Sequence, residues 1–476
     1  MARLLFNPDL VLHPDGRRAI VYVRDEVESG ISAFVSPVHP RLAVLLALFD
    51  GQPTLRDVVS DWAYVGGSGS PDRAGEEFSE FASTWGATPL LVTAESVPPE
   101  RRKVYDPAAF IVPGQEVDLS AIRCSAPISL VHVTTYRCAV DCAYCYSRPP
   151  NAPSDHLSLD RLDVILDEVR DLGVDRASLS GGDVFCHPRG MELIELYAEH
   201  GIIPQIATKV PLDDLRARGL RDLGVESIQV SLDSPHAAEH DGLVGRPGHL
   251  EALLPGLDAI AKAGLGLRTN TVLTPRNYPG ALELIPLLAE RYDNLRSMQM
   301  TPYGRSLYRH RDDLFLTPDQ AADLTDRIKT YQQSYPQVRV HASGMPDPTF
   351  YERSPEDKSE KHRERALCSG NRWGFVLLPN GEVTVCEELY HHPRFILGDL
   401  RRQTVAEVWN SPEALALAFP APDSAPAGSA CARCPEFVEC HHVKGRCYKR
   451  ALQAYGLDHP DWPDPMCPYA PEGRRF

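Results

Sequence analysis

The chain has 476 residues, a formal net charge of −16 and an apolar fraction of 43%. At roughly 150 residues per domain, this length predicts about three domains with ample material for hydrophobic cores. The acidic balance argues against a nucleic-acid partner held by charge, and the lack of a run of 18 apolar residues argues against a membrane span. The first residues do not resemble a signal peptide, so we expect a cytoplasmic protein. In such a protein the 12 cysteines indicate metal ligands rather than disulfides.

The first hundred residues predict a small antiparallel sheet, then three helices and a closing strand. The predicted strands are Ala2–Phe6, Leu10–His13, Arg17–Arg24 and Pro89–Thr93, and the predicted helices are Arg41–Phe49, Thr54–Trp62 and Glu76–Trp85. This order, with Leu48–Thr54 at the junction, resembles the winged-helix-like PqqD-like peptide-recognition domain. The resemblance implies that the leader of a precursor peptide adds a strand to the sheet edge. A purely structural cap is the alternative.

Strand-like and helical runs alternate from Ile128 to about Arg305. The predicted strands are Ile128–Thr134, Arg176–Ser180, Pro204–Thr208, Ser227–Ser231, Gly266–Val272 and Ser297–Thr301, with helices between them such as Leu159–Leu172 and Ala281–Arg291. This alternation predicts an α/β fold with a parallel sheet and right-handed crossovers. We expect the active residues on the loops that follow the carboxyl ends of the strands.

Three cysteines with the spacing C-x3-C-x2-C follow the first of these strands: Cys138, Cys142 and Cys145. Three thiolates can hold a [4Fe–4S] cluster and leave its fourth iron open. The spacing, with Tyr144 before the last cysteine, resembles the radical S-adenosylmethionine (SAM) enzymes. The resemblance implies a partial (β/α)6 TIM-like barrel, in which SAM binds the open iron and is cleaved to a 5′-deoxyadenosyl radical that takes a hydrogen from the substrate. A zinc site is the alternative, although zinc favours paired C-x2-C.

The loop after the second strand carries Gly181, Gly182 and Asp183, which resemble the Gly-Gly-Glu motif of that family. The resemblance implies that the glycines let the amine of SAM approach the backbone, where a Cβ would obstruct it. The shorter Asp183 replaces the usual Glu. Ser231 and Asp233 follow the fourth strand, and the resemblance implies contacts from them to the ribose or carboxylate of SAM. Helix capping is the alternative role for these two residues.

Two further residues near these motifs are candidates for the site. His240–Gly245 resembles a His-Asp-x-x-Arg-Gly stretch of the family with Val244 at the arginine position, and Arg246 is predicted to substitute as a SAM contact. Cys186 lies just beyond Gly-Gly-Asp and is a candidate catalytic radical partner. The alternative for Cys186 is an apolar packing role, since a free cysteine packs well.

The last 110 residues contain seven cysteines whose spacing resembles the SPASM extension of radical SAM enzymes. The resemblance implies two auxiliary iron–sulfur clusters, an outer one on Cys431, Cys434, Cys440 and Cys467, and an inner one on Cys368, Cys386 and Cys447. The spacing before Cys447 is three residues longer than usual. The inner cluster would have one iron open, or filled by another residue or by substrate. His441 and His442 are either extra ligands or solvated loop residues, and a zinc ribbon is the alternative to iron and sulfur.

Glu387 directly follows Cys386. In sulfatase-maturing relatives an acid after the corresponding cysteine serves as general base, which implies the same catalytic role here. A surface glutamate is the alternative.

These motifs predict residues 1–100 as the recognition domain, 101–125 as a linker, 126–340 as the radical SAM core and 341–476 as the SPASM domain. The resemblance implies a maturase of ribosomally made peptides that binds a precursor through its leader, forms a thioether or carbon–carbon cross-link, and takes electrons from a flavodoxin or ferredoxin. A sulfatase-type maturase, a small-molecule SPASM dehydrogenase and a peptide epimerase are the enzymatic alternatives. A non-enzymatic iron–sulfur scaffold is the alternative from another class, and it would need neither Gly181 nor Gly182.

Overall fold

The computed structural model describes residues 2–25, 29, 34–65, 70–83, 89–112, 117–147, 155–309, 311–342, 344–345, 353–365, 367–390 and 392–471. The chain forms two compact units, an N-terminal unit (Met1–Ser125) and a barrel unit (Ala126–Phe476). The segment predicted as a linker groups with the N-terminal unit. A boundary near residue 340 stays a prediction.

The described residues of the N-terminal unit form two small antiparallel sheets and include the three helices given below. Its strands are β1 (Leu4–Phe6), β2 (Leu10–Asp15), β3 (Arg18–Val23), β4 (Val35–Val38) and β5 (Leu91–Thr93), and its helices are α1 (Pro40–Ala47), α2 (Leu55–Val65) and α3 (Pro71–Ser83). Strands β2, β3 and β4 form one sheet in that order, while β1 pairs with β5. The predicted helices are present with shifted ends, and Trp85, the predicted end of the third, lies outside the described residues.

The sheet of the N-terminal unit differs from the prediction in one strand. Leu4–Phe6 was expected in the same sheet as the β2–β3 hairpin, but it pairs with Leu91–Thr93 instead. The third strand is Val35–Val38, in which Pro37 weakens the strand signal because proline has no N–H. Proline is tolerated here because β4 is an edge strand. Pro37 lies opposite Ile20, at a position whose backbone nitrogen points away from β3, so no hydrogen bond of the sheet is lost.

The segment before the barrel unit is tied to the β2–β3 hairpin by one buried ion pair. Arg18 Nε donates to Asp15 Oδ2 at 2.8 Å, and both side chains are under a tenth exposed. The remaining guanidinium nitrogens donate to the carbonyls of Asp118, Ala121 and Arg123. Arg18 therefore compensates its own burial with four acceptors, as a buried charge requires.

The barrel unit contains one ten-stranded sheet. Its strands are β6 (Ser129–Thr135), β7 (Arg176–Gly181), β8 (Gln205–Thr208), β9 (Ser227–Ser231), β10 (Gly266–Leu273), β11 (Leu295–Pro302), β12 (Arg339–Ala342), β13 (Gly374–Leu377), β14 (Glu382–Thr384) and β15 (Ile396–Asp399). The strand order is β12-β11-β10-β9-β8-β7-β6-β13-β14-β15. All neighbours from β12 through β13 are parallel, whereas β14 and β15 are antiparallel. The six predicted barrel strands are confirmed as β6–β11.

Helices alternate with the parallel strands and cover one face of the sheet. They are α4 (Leu159–Asp171), α5 (Gly190–Glu199), α6 (Asp214–Asp222), α7 (Ala237–Val244), α8 (His249–Lys262), α9 (Leu284–Arg291) and α10 (Pro318–Ser334), followed by α11 (Pro355–Arg363), α12 (Val405–Trp409), α13 (Pro412–Ala418) and α14 (Tyr448–Tyr455). Among the described residues, no helix is both long and apolar enough to cross a membrane.

The barrel strands turn apolar side chains to the helices and polar ones inward. In β9, Ile228 and Val230 are buried in the large core cluster, whereas Ser227, Gln229 and Ser231 line an internal cavity. This alternation follows from the two-residue period of a strand. The barrel interior is therefore polar, which suits a binding site rather than a packed core.

Candidate functional site

A cavity of about 660 Å³ opens inside the barrel of β6–β11. Its wall includes all three motif cysteines, Cys138, Cys142 and Cys145, together with Gly181 and Gly182. These residues lie at or just beyond the carboxyl ends of β6 and β7, as expected for a barrel enzyme. The volume is in the range of ordinary ligand sites.

The glycines hold the cysteine loop in place. Gly182 N donates to Thr135 O at 2.7 Å, and Asp183 N donates to Arg137 O at 2.9 Å. A Cβ on Gly182 would lie 1.9 Å from Arg137 O, and Gly181 has φ of +110°. The pair is thus required for close packing of two backbones, in addition to the approach of a ligand that the sequence predicted.

The other side of the cysteine loop is bound to the end of α7. Asp141 N donates to Val244 O at 3.0 Å, and Ala143 N donates to Leu243 O at 2.8 Å. Gly245 then ends the helix in the left-handed region with φ of +68°, where a Cβ would lie 2.8 Å from Asp141 O. The loop that presents the three thiols is therefore pinned at both ends by backbone contacts.

Asp183 lines the cavity, but its carboxylate already has partners. Oδ2 accepts from Thr208 Oγ1 and Lys209 N, both at 2.8 Å, and Oδ1 accepts from Phe185 N at 3.1 Å. Burial raises the pKa of Asp183, and these hydrogen bonds oppose the rise. Asp183 therefore ties the Gly-Gly loop to the end of β8, which explains why an aspartate suffices where the family has a longer acid.

Tyr144, Asp233 and Lys209 form a buried group beside the cysteines. The Tyr144 hydroxyl donates to Asp233 Oδ2, and Val272 N donates to Asp233 Oδ1 at 3.1 Å. Lys209 Nζ lies 3.8 Å from Asp233 Oδ2 and 5.4 Å from the centre of the Tyr144 ring. Burial raises the pKa of Tyr144 well above its usual value, so the hydroxyl stays protonated and donates.

Two predicted SAM contacts have different positions in the structure. Asp233 is fully buried behind Tyr144 and is absent from the cavity wall among the described residues, so it positions Tyr144 instead. Arg246 is exposed, and its Nη1 donates to Ala139 O at 3.1 Å, which braces the cysteine loop from outside. Ser231 does line the cavity, as predicted.

Cys186 does not line the cavity. It ends a one-turn 3-10 helix, Val184–Cys186, and its N–H donates to Asp183 O at 2.8 Å. Partial burial raises the pKa of its thiol to about 11. The geometry therefore favours the packing alternative over the predicted radical partner.

Glu387 lies in the cavity wall rather than on the outer surface. Its Oε2 accepts from Ser180 Oγ at 2.5 Å, and its Oε1 accepts from Tyr146 OH at 2.8 Å. These bonds connect the turn after Cys386 to the end of β7 and to the loop that carries Cys145. The carboxylate thus faces the same space as the motif cysteines, which a general base requires.

An ion pair that the sequence did not predict stands beside Glu387. Lys449 Nζ lies 2.5 Å from Glu388 Oε1, and both side chains are less than a quarter exposed. Burial raises the pKa of Glu388, and Lys449 opposes the rise. Lys449 lines both the barrel cavity and a smaller cavity that holds cysteines. Lys449 therefore lies in the wall between the barrel cavity and the smaller cavity.

The seven later cysteines divide into two groups, as the predicted ligand sets require. Cys431, Cys434, Cys440 and Cys467 line one small cavity, here called the outer pocket. Cys368, Cys386 and Cys447 line a second cavity of about 60 Å³, here called the inner pocket. Burial raises the pKa of Cys447 to about 11 and of Cys467 to about 12, so the binding of a metal at either pocket releases protons.

Both pockets have cations in or beside their walls that suit an anionic cluster. Arg365 Nη2 lies 3.1 Å from Cys440 Sγ beside the outer pocket. Arg372 and Arg446 are 4% and 6% exposed and line the inner pocket. Among the described residues, no group of three Cys, His, Asp or Glu side chains is arranged to hold a single metal ion. Thiols spread around a cavity instead match a cluster, whose irons each take one thiolate.

The profile of the radical SAM superfamily matches residues 132–284, and the profile of the SPASM iron–sulfur cluster-binding domain matches residues 368–435. The chain therefore contains a radical SAM domain followed by a SPASM domain. Its radical SAM domain takes SAM and a [4Fe–4S] cluster, and its SPASM domain binds iron–sulfur.

Several curated relatives of this radical SAM enzyme are peptide-modifying proteins by name. The mycofactocin maturase MftC of Mycobacterium tuberculosis is 27% identical over 346 residues, which cover 72% of this chain and 83% of MftC. The PqqA peptide cyclase of Methylocella silvestris is 26% identical over 289 residues, 60% of this chain and 74% of the cyclase.

The fold of the enzyme is similar to solved structures along almost its whole length. SuiB of Streptococcus suis bound to S-adenosylmethionine superposes with a TM-score of 0.63 at 15% identity, covering 97% of this chain and 99% of SuiB. SuiB bound to its precursor peptide SuiA gives a TM-score of 0.62 at 14% identity, covering 98% and 99%.

Three residues that line the cavity escaped the sequence argument. Lys209 directly follows β8, and its place at the end of the third barrel strand was the available signal. Arg268 and Gln229 line the cavity from inside β10 and β9, where polar residues alternate with buried ones. Such alternation in a parallel strand, normally apolar on both faces, indicates a polar barrel interior.

Proposed function

We propose that this radical SAM enzyme modifies a ribosomally made precursor peptide by hydrogen abstraction, with a thioether or carbon–carbon cross-link as the product. The observation that carries the proposal is the single cavity that brings Cys138, Cys142 and Cys145 together with Glu387 and Lys449. When bound, SAM and the cluster supply the radical that takes the hydrogen. The chain's own residues orient the ligands, exclude water and hold an acid opposite the cysteine loop.

The connection between the barrel cavity and the inner pocket supports an oxidative outcome. Lys449 lines both cavities, and Glu388 holds it there through the 2.5 Å ion pair. An electron acceptor at the inner pocket would therefore be separated from a substrate in the barrel by one layer of side chains. A cross-link removes two hydrogens, so it needs such an acceptor. We propose a flavodoxin or ferredoxin as the external electron donor.

We further propose that the leader of the precursor pairs with β4 of the N-terminal unit. Leu12 N on the outer side of β2 donates to Tyr105 OH at 3.2 Å, so that edge is partly occupied. Since Leu12 N–H points away from β3, Leu12 and the opposite residue Val21 are a pair without mutual hydrogen bonds, and the N–H and C=O of Val21 point to Ser36 on β4. The direction alternates along a strand, so the N–H and C=O of Val35 point outward from β4. The outer edge of β4 therefore offers Val35 N–H and two carbonyls to an added strand.

The experiment for the modification is the mass of a short peptide encoded beside the gene, after anaerobic co-expression. We expect the loss of two hydrogens with the intact enzyme and no change with Cys138, Cys142 and Cys145 all replaced by alanine. An unchanged mass with deuterium uptake from the solvent would favour an epimerase. No change of either kind would contradict the proposal.

The experiment for the leader uses two neighbouring substitutions in β4. Val35→Pro removes an outward N–H and leaves the β3–β4 hydrogen bonds intact, so we expect weaker binding of a labelled leader by fluorescence anisotropy. Ser36→Ala is the matched control and should bind as the wild type does. Equal binding by both variants would contradict pairing at β4.

A further inference from the structure

The inner pocket has three thiols where a full [4Fe–4S] site has four ligands. The outer pocket has four thiols and is complete. Besides its three cysteines, the described wall of the inner pocket has three side chains with an atom able to ligate iron: His441, Asn371 and Tyr448.

Two of these three side chains are already engaged in hydrogen bonds. Asn371 Nδ2 donates to Ala414 O at 2.6 Å, and Tyr448 OH donates to Leu417 O at 3.1 Å. The cations of the pocket, Arg372, Arg446 and Lys449, have no lone pair to offer as charged groups.

His441 differs from both. Its residue surface is 7% exposed, and its ring stacks on Phe437 with centroids 4.0 Å apart and an angle of 11° between the planes. Its ring nitrogens make no hydrogen bond within the part of the chain that the structure describes, and they are not fully buried, because His441 lines both the inner and the outer pocket. A ring nitrogen that is open to a cavity and has no partner in the protein is free to bind something that the cavity holds. This burial also excludes the solvated-loop alternative for His441.

The backbone around His441 is built to hold the ring at the pocket. Residues Glu439–Lys444 form a π-helical turn, which absorbs the three additional residues between Cys440 and Cys447. Buried Arg372 donates from Nη1 to His442 O at 2.6 Å and from Nη2 to His441 O. Single π turns occur often at functional sites, because they redirect one side chain.

We propose that His441 is the fourth ligand of the inner auxiliary cluster, which Cys368, Cys386 and Cys447 hold through their thiolates. The proposal rests on the proposed function only in that an iron–sulfur cluster occupies the inner pocket. A neutral imidazole in place of a thiolate leaves the cluster less negative, and such replacement raises the reduction potential of iron–sulfur centres. The inner cluster then has no iron open to substrate and is a better electron acceptor.

The test is pulsed electron paramagnetic resonance on the reduced auxiliary clusters, in the full-length chain with Cys138, Cys142 and Cys145 replaced by alanine. The protein is made with ¹⁵N-labelled histidine, so that only histidine nitrogens give a ¹⁵N coupling. We expect a strong ¹⁵N coupling, and its loss in His441→Ala. His442→Ala is the matched control, because His442 Nε2 donates to Pro420 O at 2.9 Å, and it should keep the coupling.

A second variant covers the case in which His441→Ala fails to hold the cluster. His441→Cys restores a thiolate, so we expect wild-type iron content, no ¹⁵N coupling and a lower reduction potential. The proposal would be overturned if the protein with His441 intact gave no ¹⁵N coupling. It would also be overturned if the coupling survived in His441→Ala or His441→Cys. Because no peptide is present, a failure of peptide modification leaves this result unaffected.

Discussion

His240 Nε2 lies 2.9 Å from His249 Nδ1, and the two rings are buried and stacked at an angle of 18°. Asp233 N donates to His240 Nδ1 at 3.2 Å, and His249 Nε2 donates to Lys209 O at 2.9 Å. A carbonyl only accepts and a backbone N–H only donates, so both histidines are neutral with the proton on Nε2. The pair thus links the ends of β8 and β9 and fixes the backbone of Lys209 and Asp233.

This pair makes stability depend on pH in a defined direction. Burial lowers the pKa of His240 to about 4 and also lowers the pKa of His249. Below pH 6.5 the unfolded chain takes up protons that the folded chain does not, so the free energy of unfolding falls as the pH decreases from 6.5 towards 4. Above pH 6.5 this contribution is fully present.

We expect the double variant His240→Asn, His249→Gln to lose less stability over this pH range than the wild type does. Urea unfolding of the chain, followed by circular dichroism between pH 7.5 and 5, measures it. Substitution of the exposed His459 by glutamine is the control and should leave the slope unchanged. A double variant with the wild-type slope would show that the pair is already protonated in the folded state.

The glycine pair offers a test of the cysteine loop that does not depend on substrate. Gly182→Ala places a Cβ 1.9 Å from Arg137 O, so the two backbones must separate and displace Cys138. We expect the variant to lose the radical SAM cluster, measured as about four fewer irons per chain after reconstitution. Gly242→Ala is the control, because nothing lies within 4 Å of its added Cβ. Full iron content in Gly182→Ala would contradict the packing role.

We expect the hydrogen bond from Tyr144 to Asp233 to contribute measurably to the binding affinity for SAM. Tyr144→Phe leaves a buried carboxylate with one donor fewer, which costs about 1–3 kcal/mol and should loosen the cavity wall. We expect SAM to bind roughly 5- to 150-fold more weakly in anaerobic calorimetry. Tyr278→Phe removes a similar bond to exposed Asp323 and should bind SAM as the wild type does. Equal affinities for both variants would place Tyr144 outside the SAM site.

The sequence predicted the barrel well because its signals are local. Each barrel strand is a short apolar or alternating run, and the spacing of Cys138, Cys142 and Cys145 is a contiguous motif. The two cysteine sets of the SPASM domain were also predicted, through a resemblance rather than from geometry. The side-chain partners were not predictable in this way, because they depend on contacts between distant segments.

Glu387 and His441 illustrate that limit. Glu387 reaches Ser180 across 207 positions in the chain, so nothing in the local sequence distinguishes it from a surface glutamate. His441 follows Cys440 in a polar stretch that reads as a solvated loop, and only its packing on Phe437 and below Arg372 buries it. At Pro37 a local signal was misleading, because proline disfavours a strand and the edge strand Val35–Val38 was therefore not predicted.

Glu387 is the residue on which we expect the proposed oxidative outcome to depend most directly. Glu387→Gln keeps the acceptor for Ser180 or Tyr146 but removes the carboxylate that we predict to take a proton. We expect SAM cleavage within about twofold of the wild type and at least a 100-fold loss of cross-linked peptide, measured by mass spectrometry in the same reaction. Glu413→Gln changes an exposed glutamate and should alter neither rate. Full product formation by Glu387→Gln would assign the base to another group, whereas parallel loss of SAM cleavage would assign Glu387 to the cavity architecture through its bonds to Ser180 and Tyr146.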